Sequence, residues 1–155
     1  PVPSIDIEKT IVGAPVQGED GAWTVTYEIN AINDGAAQGI YTLTDQLRFG
    51  AGIQVRDAAV TSTPDGVPAS EAWVGTGSAG SKENVIASDV SLAASQVHTY
   101  RVEVVATVDG DAANSTTFAC PAIGTGDRGG FANTAGIGHN GLSDEAAACA
   151  TPIRS

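Results

Sequence analysis

The sequence predicts an all-β protein, an immunoglobulin-like β-sandwich of about seven to nine short strands, and three observations carry that expectation. Nineteen glycines, abundant Thr, Val and Ala, no Met and no Leu-rich amphipathic run favour strands joined by turns over helices. Two stretches alternate with period two: Trp23, Val25, Tyr27, Ile29 and Ala31 against Thr24, Thr26, Glu28 and Asn30, then Tyr100, Val102, Val104, Ala106 and Val108 against Arg101, Glu103, Val105 and Thr107. Turn-forming clusters recur about every 8 to 15 residues. With 155 residues the chain is long enough to bury a sizeable core as one domain, so residues 1–155 are read as a single sandwich.

The opening strand, SIDIEKTIV at 4–12, is the informative one. Ile5, Ile7, Lys9 and Ile11 share a parity, and Asp6, Glu8 and Thr10 share the other. Side chains of one parity face one way, so if the isoleucines face a core, Lys9 faces it too. A lone buried ammonium is costly and must be neutral, paired or chemically consumed.

GAPVQGEDG at 13–21 has the turn chemistry that ends this strand, and AWTVTYEINAIN follows as the second, with Glu28 on its solvated parity. NDGAAQG at 33–39 is a turn. IYTLTDQL comes next, with Tyr41, Leu43, Asp45 and Leu47 facing inward, which makes Asp45 the second polar residue on a core face. A strand IQVRDAAVTST, a polar loop from Pro64 to Ser70, and a Gly- and Ser-rich loop around Trp73 to Asn84 follow. VIASDVSLAASQ is ambiguous between short strands and turns, whereas HTYRVEVVATVDG is a clear strand. A segment near Phe118 to Cys120 pairs briefly, and a Gly-rich loop at 124–130 leads into FANTAGIG. There Phe131, Asn133, Ala135 and Ile137 share a parity, so Asn133 is the third inward polar residue, on the last expected strand. The tail to Ser155 holds Cys149 and little else.

Lys9, Asp45 and Asn133 make chemical sense together. A lysine kept neutral by apolar surroundings is nucleophilic, and a carboxylic acid kept protonated there can polarise a carboxamide. Attack of the Lys9 amine on the Asn133 side-chain carbonyl, with loss of ammonia, would leave a neutral amide and remove the buried charge. The alternatives are a Lys9 that snorkels outward, a Lys9–Asp45 ion pair, and an Asn133 that caps a turn.

The segments EKTIVGAP, GAWTVTYEINAINDGAA, YTLTDQL, SLAASQVHTYRVEV and GGFANTAGI resemble a bacterial surface-protein repeat domain, formerly a domain of unknown function, common in secreted and wall-attached proteins of Gram-positive bacteria. The matching pieces are Lys9-Thr10, Thr26-Tyr27, Asn33-Asp34-Gly35, Thr44-Asp45-Gln46-Leu47 and Asn133-Thr134-Ala135. The order Lys, Asp, Asn is also similar to the A-type collagen-adhesin fold, whose members form an intramolecular Lys–Asn isopeptide bond assisted by an Asp. The resemblance runs from residue 4 to about residue 140 and departs from the pattern in the 75–80 loop and between the cysteines. It implies an extracellular stalk or spacer repeat at the cell surface or wall, with Lys9 and Asn133 as the crosslink and Asp45 as the acid. Its partners would be neighbouring repeat domains of the same chain, and it would not be a turnover enzyme. The competing expectation is an adhesive tip for a glycan, protein or ice-like surface. It would use loops 64–84 and 120–130, an exposed Trp73, or the threonines Thr24, Thr26, Thr42 and Thr44.

Composition narrows the field. A formal charge of −11 repels phosphate backbones and anionic lipid, so neither nucleic acid nor a membrane surface is an expected partner. No apolar run reaches the roughly 18 residues of a membrane span, and the chain, opening at Pro1 without a signal-peptide pattern, reads as an excised or processed segment. Cys120 and Cys149 lack CxxC spacing and a nearby His, which suits a disulfide in an oxidising setting better than zinc, two buried thiols being the alternative. No cofactor is expected. Asp20, Asp34, Asp109 and Asp111 could line a calcium site in loops, but EF-hand spacing is absent. GTGSAG at 75–80 and GTGDRG at 124–129 match GxGxxG without a βαβ context, and Lys82 is one position late for a phosphate loop. His98 and His139 have no metal-ligand spacing. Asn114-Ser115-Thr116 is a glycosylation sequon of little weight in a bacterial protein, and no GxSxG is present.

Overall fold

The computed structural model describes residues 2–50, 52–70, 73–77, 82–108, 120, 129–139 and 141–151. The alternating stretches become strands with the expected parity: β1 (Ile5–Ile11), β2 (Val16–Gln17), β3 (Trp23–Asn33), β4 (Gly39–Leu47), β5 (Ile53–Ser62), β6 (Val85–Leu92), β7 (Val97–Val108), β8 (Asn133–His139) and β9 (Leu142–Ala148). Among the described residues the helical content is one 3-10 turn, Lys82–Asn84. The strands form two antiparallel sheets. One has the order β1-β3-β7-β5 with β2 also paired to β3, and the other has the order β6-β4-β8-β9. Packed face to face, they are an all-β sandwich.

The core lies between the sheets, where the inward parities meet. From β3, Val25, Tyr27, Ile29 and Ala31 are wholly buried, and they face Tyr41, Leu43, Ala135 and Ile137 of the second sheet within one apolar cluster. Each large apolar side chain withdrawn from water contributes about 1.5–3 kcal/mol. The two tyrosines Tyr41 and Tyr100 share a hydroxyl–hydroxyl bond of 2.6 Å, and Tyr41 Oη also lies 2.8 Å from His98 Nδ1, so their polar tips are partnered inside the core.

The Asn-x-Gly turn after β3 is built around a buried carboxamide. Asn33 Oδ1 accepts from the Ser4 and Gly35 amides, and Nδ2 donates to the carbonyls of Ala37 and Leu92. A Cβ at position 35 would collide with the backbone of Val2 and Ser4, so glycine lets the chain entering β1 cross the turn closely.

Two elements differ from the sequence-based expectation, and a third decides a point it left open. β9 occupies the tail, where Leu142–Ala148 has no alternation and mostly exposed side chains. It is a strand because it pairs along the whole of β8, not because it buries a face of its own. β8 is therefore the penultimate strand among those described. β2 lies inside the stretch expected to be a turn, held by Val16 and Gln17 against Thr24 and Trp23. β6 resolves the ambiguous segment: the β4–β6 register slips beyond Tyr41, and Asp89 adopts a positive φ of 53°, which breaks the alternation. The brief pairing expected near Phe118, like most of loop 124–130, lies outside the described residues.

β5, at the edge of its sheet, carries two register slips, passing over Arg56 and Thr61. Such bulges blunt an otherwise open edge against pairing with other chains. Cys120 and Cys149 form a disulfide across a sequence separation of 29. By loop-closure entropy it stabilises by roughly 3–4 kcal/mol. β1 starts at the end of the sandwich where β8 finishes, since the Ile5 amide meets His139 Nε2 at 3.3 Å. β9 finishes at the opposite end, with Ala148 paired to Asn133.

Candidate functional site

Three side chains from three strands meet between the sheets. Lys9 belongs to β1 of the first sheet, while Asp45 and Asn133 stand on the neighbouring strands β4 and β8 of the second. Lys9 reaches inward because it shares the parity of Ile5 and Ile7, both buried. Asp45 sits between Leu43 and Leu47 on the inward face of β4, and Asn133 opens β8 opposite Leu47. The contact is therefore made across the sandwich, as the parity of all three positions implied.

One carboxyl group joins the other two. Lys9 Nζ donates to Asp45 Oδ1 at 2.6 Å, and Asn133 Nδ2 donates to Asp45 Oδ2 at 3.0 Å. Asp45 and Asn133 are completely buried, and so is the whole Lys9 side chain, whose residual exposure is backbone alone. The Asn133 carbonyl oxygen, Oδ1, is buried without a hydrogen-bond partner. Leaving such an acceptor unsatisfied costs about 1–3 kcal/mol, which marks the carboxamide as a group in an unfinished environment.

Burial acts on both ionisable groups in the direction of neutrality. It pushes the Lys9 amine below the usual lysine range, opposed by the Asp45 charge beside it. It raises the Asp45 carboxyl, opposed by Lys9 and by the Asn133 hydrogen bond. Withdrawing two charges from water costs several kcal/mol per ion, so burial favours the neutral amine–acid pair while the attraction between the two charges favours the ion pair. In the neutral form a nucleophilic amine and a carboxamide would share one proton-donating acid.

Aromatic side chains close the site. Lys9 Nζ lies 4.9 Å from the centre of the Tyr27 ring, and Tyr27 Oη donates to the Phe131 carbonyl at 2.7 Å. Trp73, the exposed aromatic that the competing tip reading called for, is instead buried with 4 % exposure, and its Nε1 donates to the Asp45 backbone carbonyl at 3.0 Å. The Gly-rich loop that carries it folds back onto β4, with the Leu47 amide donating to the Gly75 carbonyl. Its indole holds Asp45 rather than presenting a flat ring to solvent. Sequence reasoning missed the roles of Tyr27 and Trp73 because each acts through contacts with a distant backbone carbonyl, for which residue type and parity give no signal.

The other expected positions fall elsewhere. Thr24 and Thr26 stand on the first sheet and Thr42 and Thr44 on the second, all with outward parity, so the four lie on opposite faces of the sandwich. Asp20 is engaged by the Ala22 amide and by Arg56. Asp34 neighbours Asp6, and Asp109 and Asp111 lie outside the described residues. Among the described residues no group of three His, Cys, Asp or Glu side chains is arranged to hold a metal ion. His98 is half-buried against Tyr41, and His139 is buried with Nε2 on the Ile5 amide. Glu28, on the solvated parity, meets Arg101 at 3.3 Å. No described helix is long and apolar enough to cross a membrane.

No family model, curated protein or solved structure matches this chain.

Proposed function

We propose that this domain is a self-crosslinking structural module, a stalk or spacer repeat of an extracellular bacterial surface adhesin, in which Lys9 and Asn133 condense to an isopeptide bond with Asp45 as the acid. The observation that carries the reading is the single buried carboxyl bridging a lysine amine and an asparagine carboxamide whose carbonyl oxygen has no partner. The disulfide, and strands β1 and β9 that begin and end at opposite ends of the sandwich, support a role in bearing load outside the reducing cytoplasm.

The chemistry balances as follows. The Lys9 ammonium gives a proton to Asp45, leaving a neutral amine and a neutral acid. The carboxamide turns about its Cβ–Cγ bond so that Oδ1 accepts from the protonated Asp45, and the amine attacks Cγ. Asp45 then relays a proton from the attacking nitrogen to Nδ2, the Cγ–Nδ2 bond breaks, and ammonia departs. The products are one secondary amide, a protonated Asp45 and one ammonia. Charge is gone from the interior, which supplies a driving force that an exposed site would lack.

Intact mass of the purified domain after reduction tests the reading. The parent should be lighter than its sequence by one ammonia, and Asp45→Ala should have its full mass; full mass in both would end the proposal.

Bond formation also has an expected pH dependence. Lys9, lowered by burial, and Asp45, raised by burial, hold one proton between them as a coupled pair. At low pH the pair takes up a second proton, and the amine is locked as ammonium. At high pH it loses the shared proton, and no acid remains to polarise the carbonyl. In a chain prepared unlinked by chemical synthesis, the rate of ammonia loss on first folding should be level at intermediate pH and fall on both sides. A rate that rises steadily with pH would show that Asp45 is not the acid.

Among the described residues nothing specific favours the tip reading: Trp73 is buried and the four threonines face two directions, while part of loop 64–84 and most of loop 120–130 lie outside the described residues.

A further inference from the structure

We propose that Tyr27 is a positioning residue for the crosslinking step, tying the sheet that carries the amine to the segment that carries the carboxamide. The inference rests on the Lys9–Asn133 reading and names a part of that site the three reacting groups do not include.

Tyr27 stands on β3, opposite Ile11 of β1, in the same sheet as Lys9. Its side chain is wholly buried and crosses the gap between the sheets. The ring face lies 4.9 Å from Lys9 Nζ, and the hydroxyl donates at 2.7 Å to the carbonyl of Phe131, just ahead of Asn133. One side chain thus touches the nucleophile and fixes the backbone that presents the electrophile. Phe131 is itself held on other sides: its amide donates to the Ala150 carbonyl, and its ring packs against Trp23 and Phe49. Alongside the apolar contact of the Trp23 ring, the Tyr27 hydroxyl is the hydrogen bond, among the described residues, that reaches from the first sheet to the chain entering β8.

Condensation requires Nζ to approach Cγ within bonding range while Asp45 stays on the carbonyl, so the separation of the sheets at this level controls the rate. A displacement of about 1 Å at a reacting pair can cost up to a hundredfold in rate. Tyr27→Phe keeps the ring beside Lys9 and deletes only the hydrogen bond to Phe131. On first folding of chains prepared unlinked by chemical synthesis, loss of ammonia followed by mass spectrometry should be slower than in the parent by roughly ten- to a hundredfold, with the shape of the pH profile unchanged because Lys9 and Asp45, the pair that sets it, are both intact. Replacement of Tyr27 by 4-aminophenylalanine, which restores a donor at the same place, should restore the rate, and it carries the test if Tyr27→Phe does not fold.

Equal rates for Tyr27→Phe and the parent would overturn the inference. So would a rate with 4-aminophenylalanine at least tenfold below the parent, or a displaced pH profile, which would make the hydroxyl a proton carrier instead. A parent that never loses ammonia defeats the crosslink reading itself, and the two failures are distinguishable.

Discussion

Asn133→Ala should lower the midpoint of thermal unfolding by about 10–20 °C relative to the parent. The substitution removes the electrophile and leaves the Lys9–Asp45 pair in place. A covalent link between positions 9 and 133 closes a loop of about 124 residues, and restricting the unfolded chain to that extent is worth roughly 5 kcal/mol. For a domain of this size each kcal/mol shifts the midpoint by about 2–4 °C. Calorimetry on parent and variant under the same oxidising conditions measures the difference. If the parent held only a hydrogen-bonded cluster, loss of the Asn133 contact would cost about 1–3 kcal/mol. A drop of a few degrees would therefore contradict the link.

Under force the linked domain should extend by about 45 Å at most, against about 390 Å for Asp45→Ala, taking roughly 3.5 Å per residue of taut chain. With the bond in place, a pull between the start of β1 and the end of β9 enters at Lys9 and crosses to Asn133. From there it reaches Cys149 along the chain, or through Cys120 and the disulfide, and the route by Cys120 is the shorter. The chain between Lys9 and Cys120 lies off that path and is shielded. Without the bond the same pull must draw out everything from Lys9 to Cys120. The link does not make the domain inextensible: the β8–β9 hairpin can open until the chain between Cys120 and Asn133, which bridges the same two points through the disulfide, is taut. Single-molecule extension of the oxidised domain flanked by reference domains reads both lengths. An extension of hundreds of ångström in the parent would rule out the proposed force path.

The site was legible in the sequence to an unusual degree, because strands report burial by parity. Lys9, Asp45 and Asn133 each interrupt an apolar row, and each is buried where its row predicts. Parity has no meaning for Trp73, which lies in an irregular loop and which the tip reading needed exposed; its burial follows from the way residues 73–75 fold onto β4. β9 was hidden for a related reason. An edge strand that is exposed over its first four residues and half-buried over its last three carries no alternation, and pairing with the edge of β8 makes it a strand.

From the chain alone came the class of fold, the inward direction of an amine, an acid and a carboxamide, and the pairing of two cysteines. Side-chain direction along a strand is a local property with a period of two, and it needs no partner to be read. Whether those three groups meet, which sheet each belongs to, and which aromatic rings seal them from water were fixed only when the sheets packed. Contacts between residues 36, 88 and 104 positions apart depend on strand order and register, and these are set by the whole core at once.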